Sequence, residues 1–131
     1  MVEISEKFQY LLKRETKAFA HLALTLSDGT PHVSPVWFDF DGAHFIFNTA
    51  RGRVKDKVMH RRGMVAFSIV DPADPYRYIL VWGRVVDETE VGGYEEICDL
   101  NEKYHGDRNF PKRNEIRVTY KVLPERIFPS K

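Results

Sequence analysis

A small antiparallel β-barrel of six or so strands, built as one mainly β domain with accessory helices, is the fold this sequence predicts. Three observations lead to it. Apolar residues recur at every second position in a succession of short stretches, several links between those stretches are tight turns, and helical spacing is confined to brief segments between and beside them. A doubly wound parallel sheet needs a helix after nearly every strand, which the turns at Asp28-Gly29 and Asp41-Gly42 exclude.

A short first helix is expected after Ser5, a residue able to cap it, with Phe8, Leu11 and Leu12 as its apolar face. In FAHLALTL, Leu22, Leu24 and Leu26 alternate with His21, Ala23 and Thr25, which is a strand. Asp28-Gly29 turns the chain into HVSPVWFDF, Asp41-Gly42 turns it again, and AHFIFNT completes a three-stranded meander. A helix follows, with Val54, Val58 and Met59 facing the core and Gly63 ending it. MVAFSIV reads as a buried strand, DPADP as a turn, and YRYILVWGRVVDE as a long strand bent at Gly83. Val91 to Tyr104 is helical, with Tyr94, Ile97 and Leu100 on its apolar face. After the polar HGDRNFPKRN loop, Ile116, Val118, Tyr120 and Val122 alternate with Arg117, Thr119 and Lys121 in a last strand, and Pro124 and Pro129 mark an extended tail.

Composition bounds the function. The 131 residues suffice for a core without metal or disulfide support, and a single domain spanning 1–131 is expected. Lys plus Arg number 20 against 19 Asp plus Glu, a net charge of +1, so attraction to nucleic acid or membrane must be local if it exists at all. Cys98 stands alone and precludes an internal disulfide. The charged N-terminal stretch lacks the apolar run of a signal peptide, and no stretch has the length to span a bilayer. The expectation is a cytoplasmic protein.

Against that neutral background, NTARGRVKDKVMHRR concentrates Arg51, Arg53, Lys55, Lys57, Arg61 and Arg62 with only Asp56 opposing them. Cations at a helix start are misplaced by roughly 0.3–1 kcal/mol each, and like charges four apart cost a few tenths more. An anion at the helix start would relieve both, with Thr49 adding a hydroxyl donor. The bland alternative is a solvated charged face. In SPVWF, Pro35 deletes a ladder donor and so marks an edge or a bulge, where a flat ligand has room. Tyr76, Tyr78 and Trp82 share a strand face and can stack on a ring, on a base or on another subunit, or pack in the core. His21, His32, His44, His60 and His105 fall at no metal-ligand spacing, and neither a nucleophile elbow nor a dinucleotide fingerprint occurs. If the protein is an enzyme, a bound organic cofactor carries the chemistry.

The order of these motifs resembles the pyridoxamine 5′-phosphate oxidase-like split β-barrel flavoproteins, and within them the deazaflavin (F420)-dependent oxidoreductases. The resemblance runs from about Phe19 to Asp87, and more weakly to Pro129. It rests on the DG-P-x-x-S-x-V hairpin, the T-x-R-x-R-x-K-x-K segment, the V-x-F-S-I-V-D-P strand and the Y-x-Y-x-x-V-x-G-x-V strand. It implies a six-stranded split barrel acting as an oxidoreductase on a small-molecule substrate, and a homodimer with two interface cofactor sites. It implies that Ser34, Pro35, Val36 and Trp37 lie against a flavin-like ring, and that Thr49, Arg51, Arg53, Lys55 and Lys57 hold its phosphate. It implies that Tyr76 and Tyr78 reach the site from the second subunit. Pro35 and Val58 depart from the polar residues common at those positions. Lys57, His60 and Arg61 suit an anion longer than one phosphate, favouring F420 over FMN. Two other classes remain: a non-enzymatic barrel binding single-stranded nucleic acid, and a cofactor or haem carrier without turnover.

Overall fold

The computed structural model of the chain describes residues 2–131. Its strands are β1 (Ala20–Thr25), β2 (Pro31–Val36), β3 (Asp39–Phe40), β4 (Phe45–Ala50), β5 (Met64–Asp71), β6 (Asp74–Thr89) and β7 (Arg117–Pro129). They form one antiparallel sheet in the order β2-β1-β5-β6-β7-β4-β3. The helices are α1 (Val54–His60) and α2 (Gly93–His105), with 3₁₀ segments at Glu6–Leu12 and Arg14–Thr16. No helix among the described residues is long and apolar enough to cross a membrane.

The strand order dictates the barrel. β2 and β3 stand at opposite ends of the sheet, yet only Trp37 and Phe38 separate them in the chain. So short a link reaches about 10 Å. The sheet therefore curls until its two edges nearly meet, without pairing, and the seam is the split of the barrel. The inward faces of β1, β4, β5, β6 and β7 meet inside, with Leu22, Phe45, Phe47, Phe67, Ile69, Ile79, Val81, Val118, Tyr120 and Val122 buried together. Phe45 and Phe67 pack edge to face at 4.9 Å and Phe47 and Phe67 at 5.2 Å. Met59 of α1 and Phe8 and Leu11 of the first 3₁₀ segment complete the core.

Period-two alternation and turn chemistry place most elements where the sequence predicts them. Gly29 and Gly42 take φ of +88° and +99° in their turns. Gly83 sits where a β6–β7 register shift occurs, with Val122 and Leu123 pressed so close that a Cβ would meet the Val122 Cγ1 at 2.5 Å. Pro35 lies in an edge strand, where its missing N–H costs nothing.

Five expectations are corrected. The meander does not form: HVSPVWFDF is broken at Trp37-Phe38 because Phe38 is fully buried, so β2 pairs with β1 while β3 pairs with β4, and the strand count is seven. The first helix is 3₁₀, its two buried residues Phe8 and Leu11 three apart, and the Ser5 side chain makes no capping bond. Val54 is 46% exposed, because α1 has only seven residues and turns Asp56 and Met59 inward instead. The turn after α1 uses Arg62 at φ +57°, not Gly63. The C-terminal tail is strand to Pro129, with Pro124 accommodated at the β6–β7 register shift.

Candidate functional site

The β4–α1 junction gathers the cationic residues. Along β4 the side chains of Phe45, Phe47 and Thr49 turn to the core, and Thr49 is 2% exposed with no partner for its hydroxyl among the described residues. The chain then turns at Gly52, φ +92°, and enters α1 after Arg53. Asp56 fixes this turn, accepting the Gly52 N–H at 2.8 Å, the Tyr120 hydroxyl at 2.6 Å and Arg51 Nη1 at 2.9 Å. Arg51 also donates to Glu88 at 2.8 Å and to Glu90 at 2.9 Å. Burial works to raise the Asp56 pKa, but Tyr120, Gly52 and Arg51 hold it below the usual carboxylate range. Glu88 is likewise held down, against burial, by His60 and Arg51. Arg51, expected to grip phosphate, is thus neutralised by three carboxylates and anchors the turn.

The cations beyond Arg51 are less engaged. Arg53 reaches Glu115 at 3.3 Å from a half-exposed position. Lys55 is half-buried and has no hydrogen-bond or ion-pair partner among the described residues. Burial first, and then the neighbouring Arg53 charge, push its pKa down. Lys57 is exposed and also unpaired, on the rim of a concavity of about 480 Å³ lined with Arg51, Asp56 and His60. At seven residues α1 has only a small dipole, so any affinity for an anion rests on these side chains rather than on the helix start.

Across the seam lies β2. Its outward residues Pro31, Val33 and Pro35 are exposed, and its inward residues His32, Ser34 and Val36 are half-buried. Ser34 Oγ is shut from solvent without a partner among the described residues. Trp37 leaves the strand and stacks on Tyr104 of α2, with ring centroids 5.2 Å apart and 13° between planes. Next to it Lys103, buried, donates to the Phe38 carbonyl at 2.6 Å, its pKa lowered by burial to about 8. The end of α2 thereby clamps the crossover between the two edges. The two halves of the site meet through α1: the Arg53 N–H bonds to Ala50 of β4 at 3.2 Å, and Arg61 Nη2 donates to the Thr25 carbonyl of β1 at 3.2 Å, so α1 runs from one side of the seam to the other.

Tyr76 and Tyr78 do not join this group within one copy. They lie at the start of β6, beside the end of β5, whereas α1 precedes the start of β5. Six residues of strand, about 20 Å, separate the two ends. Both tyrosines stand outside the core, Tyr76 at 83% exposed. Their face carries more apolar surface. Register aligns Val33, Ala23, Ala66 and Trp82 in one outer row, and Pro35, His21, Ser68, Leu80 and Phe128 in the next.

Sequence reasoning missed Glu88, Glu90 and Tyr120, whose roles appear only once distant strands pair. A signal did exist for Asp56. It is the lone acid in a basic run, and it falls at the third residue of the helix, a position from which a side chain reaches back to a free N–H ahead of the helix.

The family model for pyridoxamine 5′-phosphate oxidase matches residues 4–129. Among solved structures, an F420 reductase superposes with a TM-score of 0.84 at 31% identity, over 95% of this chain and 98% of that one. HupZ of Group A Streptococcus gives a TM-score of 0.70 at 19% identity, over 97% and 94% of the two chains. A conserved hypothetical protein of Mycobacterium tuberculosis gives 0.70 at 18% identity, over 99% and 86%; these last two likenesses speak to fold alone. No curated protein matches the chain. The match over nearly its whole length, with the F420 reductase likeness, shows that this chain belongs to the pyridoxamine 5′-phosphate oxidase family of split-barrel, flavin-type oxidoreductases.

Proposed function

We propose that the protein is an F420-dependent oxidoreductase that reduces a small unsaturated or quinone-like acceptor and works as a homodimer with a cofactor site at each end of the interface. One observation carries the reading. Among the described residues, a half-buried Lys55 without a counter-ion, next to Arg53, follows a buried Thr49 hydroxyl without a partner, across the seam from a second unpartnered hydroxyl, Ser34. Such groups cost free energy until something polar meets them. A phosphorylated planar cofactor supplies what both sides lack, so the residues fit the group.

In this reading Lys55 and Arg53 neutralise the phosphate, Thr49 donates to it, and Arg51 holds the turn through its carboxylates. Ser34 orients the ring against Pro35, Val36 and Trp37. When bound, F420 supplies a two-electron hydride carrier. The protein orients it, excludes water and matches its charge. Tyr76 and Tyr78 would close the site from a second copy, which the exposed outer rows of Val33, Leu80 and Trp82 favour as a docking face. FMN would satisfy the same phosphate contacts. The 31% identical F420 reductase favours F420, as does Lys57, which has no partner, whereas His60 faces Glu88 and Arg61 the Thr25 carbonyl. The lone buried Cys98 suits a cytoplasmic setting.

Titrating the purified protein with F420 and with FMN, read by cofactor fluorescence, tests the proposal. Saturable micromolar binding of F420, tighter than that of FMN, is expected. Binding of neither overturns it.

A further inference from the structure

We propose that His32 belongs to the same site, where it and Ser34 form a two-point hydrogen-bonding edge for the polar rim of a planar heterocycle; this rests on the cofactor reading above. β2 turns His32, Ser34 and Val36 inward, opposite Leu24, Leu22 and Ala20. Val36 packs on the core, as an inward residue of a barrel should. The other two are polar, and both His32 Nδ1 and Ser34 Oγ are shut from solvent without a hydrogen-bond partner among the described residues. Packing alone would be served better by apolar residues at both positions, because an unpartnered buried polar atom destabilises the fold. The residues that carry them, two apart on one strand face, are spaced about 6.6 Å along the backbone. That span suits a ring edge that alternates carbonyl and N–H groups. Imidazole donates or accepts according to tautomer and the hydroxyl does both, so the pair can match that alternation.

The pair also lies where a phosphorylated ligand would bring its ring. His32 is opposite Leu24, and the next residue of β1, Thr25, receives Arg61 from α1. His32 therefore stands at the end of β2 nearest α1.

The test uses His32→Leu, Ser34→Ala, the double variant and His32→Gln, each measured for thermal stability without cofactor and for affinity toward F420, FMN and inorganic phosphate. Each apolar variant should bind the preferred cofactor about tenfold more weakly. It should leave phosphate affinity unchanged and the cofactor-free melting temperature equal or higher, and His32→Gln should recover most of the loss. Cofactor affinity within twofold of wild type in both single variants overturns the inference and leaves the oxidoreductase reading intact. A melting temperature that falls in step with affinity, without rescue by Gln, overturns it too and gives the two side chains a packing role. A wild-type protein that binds neither cofactor overturns both.

Discussion

Removing Arg51 separates its structural role from phosphate binding. In Arg51→Ala, Asp56 and Glu88, whose side chains are 8% and 11% exposed, lose their main cation. Each charge-assisted bond to a nearly buried carboxylate contributes about 1.5–3 kcal/mol. Glu88 keeps His60 at 2.9 Å and Arg62 at 3.7 Å, which offsets part of its loss. Glu90 is half-exposed and adds well under 1 kcal/mol. The expected cost is about 3 kcal/mol, or roughly a 10 °C fall in melting temperature for a domain of this size. The pH dependence carries a sign. Arg51 helps hold both carboxyls below their ordinary values, so its stabilisation is present above about pH 4 and fades as pH falls through the lowered folded values. Urea unfolding at pH 7 and near pH 3 should therefore show a full deficit at the first and a reduced one at the second. Full stability at pH 7, together with a loss of phosphate affinity, would refute this assignment and return Arg51 to the ligand.

Three further outcomes are expected. Arg53→Ala with Lys55→Ala should weaken cofactor binding at least tenfold while leaving the melting curve near wild type, since Arg53 is half-exposed with a single ion-pair partner and Lys55 has none among the described residues; unchanged affinity would remove the phosphate from this turn. Gly93→Ala should cost about 3 kcal/mol in urea unfolding, because its Cβ would stand 2.3 Å from the Arg117 carbonyl oxygen and push α2 off β7. Burial, then Asp99 and Asp39, raise the Glu96 pKa to about 7, so its ionisation opposes folding increasingly from about pH 4.5 and fully above pH 7; Glu96→Gln should raise the melting temperature at pH 8 and leave it unchanged at pH 4.

What the sequence reveals is what local chemistry decides. Alternation of Leu22 and Leu24 with His21, Ala23 and Thr25, glycine at positive φ in two turns, and a proline that only an edge strand tolerates all act within a few residues. The seam is different. Phe38 is as apolar as a strand residue, and nothing local says that it leaves β2 to fill the core while Lys103, 65 residues away, holds its carbonyl. The charge pattern misleads for the same reason. Arg51 looks unpaired because its partners Glu88, Glu90 and Tyr120 are 37, 39 and 69 residues distant. Lys55, Ser34 and Thr49 keep their standing as candidates precisely where the fold supplies no such partner.

A crystal structure of the protein with F420 measures the central claim most directly. The account predicts the phosphate within hydrogen-bonding distance of Lys55 and Thr49 and the ring along Ser34–Trp37, facing tyrosines of a second copy. A cofactor lodged elsewhere, with Lys55 directed into open solvent, would contradict it.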